Sequence, residues 1–192
     1  MVEILFAVTM VCGAPEPLPN ETVSAIMESG VLMDEVYGSH PYDLPTVPSE
    51  DGLLSYRIIV DPLYQSYGRC FSHQVRSILT DERSWSGIRE AEPAETPQVW
   101  IILSPPGACG TVEHPATSCA AGSDGEGQIW VNYNRWMLGS QQTDNTFLDR
   151  AHVINHEVGH HLGFGHTTCA IHGSNVMTPR LRTGVCDYLS WP

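Results

Sequence analysis

The sequence predicts an α+β domain over residues 53–192, and three observations predict it. Stretches 53–60 and 99–103 are dominated by strand-forming or apolar side chains over strand length. Stretch 128–136 alternates Ile129, Val131 and Tyr133 with Trp130, Asn132 and Asn134, which is strand periodicity. Two helical patterns, at 69–83 and 147–162, separate and follow these stretches. A chain of 192 residues is long enough for one such domain and a tail.

Taken in order, residues 4–14 form an apolar run of signal-peptide length, too short to span a bilayer and ending in small residues. It lacks a positive leading region, and Glu3 carries the opposite sign. Residues 1–14 are therefore expected to be either a signal or an apolar strand-like segment. Residues 15–52 are acidic and hold six prolines, so they read as a linker or pro-segment with a weak helical stripe at 23–37. The strand at 53–60 is stopped by Asp61-Pro62. Phe71, Val75, Ile78 and Leu79 fall at i, i+4, i+7 and i+8, which places a helix over 69–83, and Trp85 after it is assigned to the core. Residues 90–97 are an acidic, proline-containing loop.

The unbroken apolar run at 99–103 predicts a strand buried on both faces. Residues 107–127 are a glycine-rich loop. Within it, Asp124 and Glu126 suit a tight turn, with a Ca²⁺ site as the alternative. The alternating stretch 128–136 is expected to be half buried and to form the sheet edge beside a cleft, where a peptide can pair with it. Thr146 and Asp149 suggest an N-terminal cap for the second helix, which runs through Ile154 and Val158 to Gly163.

All nine basic residues are arginine, and the net charge is −13. Residues 1–56 contain nine acidic and no basic residues (−9), and residues 57–192 contain thirteen and nine (−4). Such a surface repels phosphate backbones, so no nucleic-acid partner is expected. No stretch suits a stable membrane span, and a monomer is expected. Six cysteines point to an oxidising, extracytoplasmic setting. The spacings of Cys109 with Cys119 and of Cys169 with Cys186 suit local disulfides, leaving Cys12 and Cys70.

The chemistry-bearing stretch is 156–166, reading H-E-x-x-H-x-x-G-x-x-H. His156 and His160 lie four apart, on one helical face. Gly163 can take the left-handed conformation that ends a helix, so the reversed chain returns His166 as a third ligand. Three imidazoles and one open position suit a catalytic rather than a structural Zn²⁺. Glu157 stands beside them as candidate general base. His161 points about 100° away from His160, and neither it nor His152, His40, His73, His114 or His172 is assigned to the site.

This motif resembles that of the metzincin clan of zinc peptidases. Asn175-Val176-Met177-Thr178-Pro179 is similar to the clan's methionine turn. The resemblance implies a small twisted mixed sheet, a backing helix and an active-site helix. It also implies His156, His160 and His166 as zinc ligands, Glu157 as base, and Met177 as the floor beneath the metal. Asp81–Gly87, Asn132-Tyr133-Asn134-Arg135-Trp136, the stretch around His156 and the final Trp191-Pro192 are similar to a family of uncharacterised secreted actinobacterial proteins. Thr167 and the lack of a tyrosine just after Met177 depart from named subfamilies. Cys12-Gly13-Ala14-Pro15-Glu16 resembles a cysteine-switch segment, with Val11 where an arginine normally stands.

The expectation is a secreted or envelope zinc endopeptidase acting on peptide or protein substrates. Its alternatives are an inactive zinc-containing peptide-binding module and an amidase acting on cell-wall peptides.

Overall fold

The structure, a computed structural model, describes residues 52–105, 119–121, 127–139, 144–167, 175–178 and 189–192. Strand β1 (Leu54–Val60) leads through a 3-10 turn (Pro62–Tyr67) into helix α1 (Gly68–Leu79). Then come β2 (Ile88–Glu90), β3 (Val99–Ser104), β4 (Cys119–Ala121), β5 (Gln128–Asn132), a short helix α2 (Tyr133–Leu138) and the long helix α3 (Thr146–His161). The fold is thus mixed α and β, as expected. The five strands lie in the order β2-β1-β3-β5-β4. The first four run parallel, and β4 pairs antiparallel with β5.

Strand alternation explains how the sheet is covered. Val99, Ile101 and Leu103 of β3 and Ile129 and Val131 of β5 pack in one core with Phe71, Val75 and Ile78 of α1 and Ala151, Ile154 and Val158 of α3. All six residues of β3 are buried, matching the unbroken apolar run. Trp85 packs half-buried against this core.

Four expectations shift. The alternating stretch is neither half buried nor the edge. All five residues of β5 are buried, and β4 flanks it as the edge strand on that side. Alternation misled because Trp130 belongs to the supposedly polar set, and because the side chain of Asn132 is spent ending the strand. It accepts from the Arg135 N–H and starts α2. Helix α1 ends at Leu79 rather than residue 83. There Thr80 Oγ1 donates to the Arg76 carbonyl, and Asp81 accepts from the Arg83 N–H in a tight turn. The cap of α3 is Asn145, whose side chain accepts from Phe147 and Leu148, so Thr146 is already helical. Asp149 is turned inward instead, 2.7 Å from buried Arg135. The acidic stretch at 90–97 also begins with a strand residue, since β2 reaches Glu90.

The expectations for residues 1–51, for the Asp124/Glu126 turn and for the Cys109–Cys119 and Cys169–Cys186 pairs lie outside the described residues, apart from the backbone of Cys119 in β4. Cys70 is disulfide-bonded. Among the described residues, no helix is long and apolar enough to cross a membrane.

Candidate metal centre

Helix α3 ends where Gly163 takes φ +89°. The Gly163 N–H donates to the His160 carbonyl and the Phe164 N–H to the Gly159 carbonyl, the paired bonds of a glycine-terminated helix. No side chain crowds Gly163, so backbone conformation and not space calls for glycine. The reversal carries His166 back to the end of the helix it has just left.

Three imidazoles converge there. His166 Nε2 lies 3.1 Å from His156 Nε2 and 3.2 Å from His160 Nε2. The candidate ligand atoms of all three lie within 4.8 Å of one another. The opposite nitrogens of two rings are tied down: His156 Nδ1 lies 2.8 Å from the Val176 carbonyl and His160 Nδ1 lies 3.0 Å from the Phe164 carbonyl. A carbonyl only accepts, so each Nδ1 carries the proton and each Nε2 keeps a lone pair aimed inward. One proton on His166 could satisfy at most one of the two neighbours. A cation satisfies all three. Tetrahedral zinc with bonds of about 2.0–2.1 Å separates its nitrogens by about 3.3–3.4 Å, close to the spacing seen.

Electrostatics favour the same state. Burial pushes His156 down to about 4, against its hydrogen bond to Val176, and the neighbouring imidazoles push the same way. Burial and His160 lower His166 as well. Both rings are therefore neutral donors near neutral pH. Glu157, the residue after His156, is buried on α3.

Beneath the helix sits the segment 175–178. Asn175 Oδ1 accepts from the Met177 N–H at 2.9 Å, and the Thr178 N–H closes the turn on the Asn175 carbonyl at 3.0 Å. Thr167, next to His166, locks onto this turn. Its N–H donates to the Met177 carbonyl at 3.0 Å, and its hydroxyl donates to Asn175 Oδ1 at 2.9 Å. The turn thus grips the segment carrying one imidazole and, through Val176, orients another. Met177 is buried against Gly159, between the two histidine-bearing turns of α3.

Two other described histidines, His161 and His152, bond to carbonyls outside the triad. His161 Nε2 lies 3.3 Å from the Gln128 carbonyl. His152 is buried with Nδ1 2.6 Å from the Leu189 carbonyl, and its ring stacks on His156 at 5.5 Å. Sequence reasoning missed Gly159, Asn155 and the Asn175–Thr167 link. A glycine costing about 1 kcal/mol in a helix interior was the available sign of close packing at 159. An asparagine two residues before Met177 was the sign of a side-chain-closed turn.

No curated protein matches the chain. One family model, described as protein of unknown function (DUF3152), matches residues 34–181, which span the three histidines, Glu157 and Met177 and reach upstream of the boundary expected at residue 53. With well over half its length matched, the chain belongs to the DUF3152 family.

Proposed function

We propose that the protein is a zinc-dependent peptidase, with His156, His160 and His166 as ligands and Glu157 as general base. The observation that carries this reading is the convergence of three Nε2 atoms, two of them fixed as lone-pair donors by carbonyls on the far side of the ring. His156, His160 and His166 would hold the zinc, which would supply Lewis-acid polarisation and acidify the attacking water. Glu157 takes the proton of the attacking water and passes it to the leaving amine. No nucleophilic serine or cysteine is needed, because water attacks the carbonyl directly. The antiparallel edge strand β4 supports an extended peptide as substrate, since its outer backbone groups can pair with one. An extracytoplasmic setting goes with this function and is supported by the disulfide at Cys70.

The test pairs metal analysis with hydrolysis of a mixed peptide library by wild type and Glu157→Ala. About one zinc per chain in both, with cleavage only by wild type, is the expected result. Metal-free wild type overturns the centre. Zinc-loaded wild type that leaves peptides intact favours the binding module, and cleavage confined to cell-wall peptides favours the amidase.

A further inference from the structure

One flank of α3 is gripped by residues far away in the sequence. His152 and Asn155 point to this flank, and both are buried, Asn155 completely. The side chain of Asn155 works in two directions: Nδ2 donates to the Ser190 carbonyl at 3.0 Å, and Oδ1 accepts from the Ser84 hydroxyl at 2.7 Å. Its backbone carbonyl also accepts, from Trp85 Nε1 at 2.8 Å. One turn earlier His152 Nδ1 donates to the Leu189 carbonyl at 2.6 Å. The next residue but one, Trp191, packs against the core and lies under the Arg83 guanidinium at 4.2 Å.

We propose that residues 189–191 are a positioning strap for the ligand His156, acting through His152 and Asn155. The proposal rests on the zinc reading above and deepens it. Two routes lead from the strap to the metal. His152, with its ring held by Leu189, stacks on His156 at an interplanar angle of 24° and blocks rotation of that imidazole away from the Val176 carbonyl. Asn155 precedes His156 directly. Pinned on one side by Ser84 and Trp85 and on the other by Ser190, it sets the rotation of α3 about its own axis, and so the direction in which His156 and His160 leave it. Asn155 suits this role chemically, because its amide offers a donor and an acceptor at once. Aspartate in its place would lose the donor to Ser190 and leave a buried charge. A leucine would lose both bonds.

Partners of this kind around metal ligands typically change metal affinity ten- to a hundredfold when removed. The test measures zinc affinity by competition with a chromogenic chelator, alongside thermal unfolding, in the full chain. The variants are Asn155→Ala, His152→Phe and, as control, Ile154→Val. Ile154 lies on the same helix with its side chain wholly buried in the core, so its variant reports destabilisation of the helix packing. His152→Phe keeps a stacked ring of similar size and loses the bond to Leu189, which leaves the test standing if Asn155→Ala does not fold.

The expected result is zinc affinity about tenfold or more weaker in Asn155→Ala, about threefold or more weaker in His152→Phe, and unchanged within about twofold in the control. Cobalt-substituted Asn155→Ala should also show an altered visible spectrum, which loss of stability alone does not produce. Wild-type affinity in folded Asn155→Ala and His152→Phe overturns the strap while leaving the zinc reading intact. A wild type that takes up no zinc overturns both.

Discussion

The sulfur of Met177 rests directly on the backbone of Gly159, in the helical turn between His156 and His160. A Cβ at residue 159 would overlap that sulfur and stand 3.1 Å from Trp85 Cζ2. The methionine and the glycine are therefore one packing unit, 18 residues apart in sequence. Together they let the turn at 175–178 come close enough for the Val176 carbonyl to reach His156.

Gly159→Ala separates two effects. Alanine gains about 1 kcal/mol of helix propensity, whereas overpacking a closed contact costs about 1–3 kcal/mol. A net loss of about 1 kcal/mol is expected in urea unfolding. Zinc affinity should fall by about tenfold or more, because Met177 must move and carries the Val176 carbonyl with it. Gly163→Ala makes the contrasting case. It meets no atom, yet must hold φ +89°, so about 1–2 kcal/mol of backbone strain is expected. Equal zinc affinity in Gly159→Ala and wild type would show that Met177 does not support the centre.

Arg135 and Asp149 form an ion pair 2.7 Å apart with side chains 8% and 1% exposed, joining α2 to the first turn of α3. Removing one partner leaves a buried charge uncompensated. Arg135→Met should destabilise the domain by about 3–5 kcal/mol, while replacing both residues with apolar ones should restore much of that loss. Chemical denaturation of the single and double variants checks the pair. Additive losses would show that the two residues act separately.

Acid should weaken the metal-free domain through imidazoles whose folded pKa lies below the free value. His156 titrates near 4 when folded and near 6.5 when unfolded, and His152, His161 and His166 are lowered too. Between those values the unfolded chain binds more protons, so stability rises with pH and is lost as pH falls from about 6.5 towards 4. Over the whole range His156 alone accounts for a loss on the order of 3 kcal/mol. Urea unfolding of chelator-treated protein at pH 7.5 and 5 should show the loss. Zinc at a hundred times its Kd should add about 2.7 kcal/mol at the higher pH. A flat profile would mean that these histidines do not stay neutral in the folded state.

The two helices and the interior strand were legible because their periodicity is local. Phe71, Val75 and Ile78 announce a buried helical face, and 99–103 announces a strand covered on both sides. Helix ends and sheet order were harder to read. Asn145 wins the cap over Thr146 because Asp149 is drawn inward by Arg135, a partner 14 residues upstream. Strand β4 escaped notice because three residues, Cys119–Ala121, hold too little pattern to mark an edge. Its presence moves that edge of the sheet away from 128–132.

The candidate site divides the same way. His156, His160 and Gly163 were readable from one helix, since a 3.6-residue repeat and a left-handed glycine are properties of neighbouring residues. The sequence by itself determined the donor types, their spacing and the place where the helix must turn. Only the tertiary structure decided what holds them: Val176 behind His156, Thr167 bound to the methionine turn, and residues 189–191 gripping His152 and Asn155. Those contacts join segments 8 to 37 residues apart. Their hydrogen bonds depend on where the folded backbone brings a carbonyl, which no local pattern of side chains records.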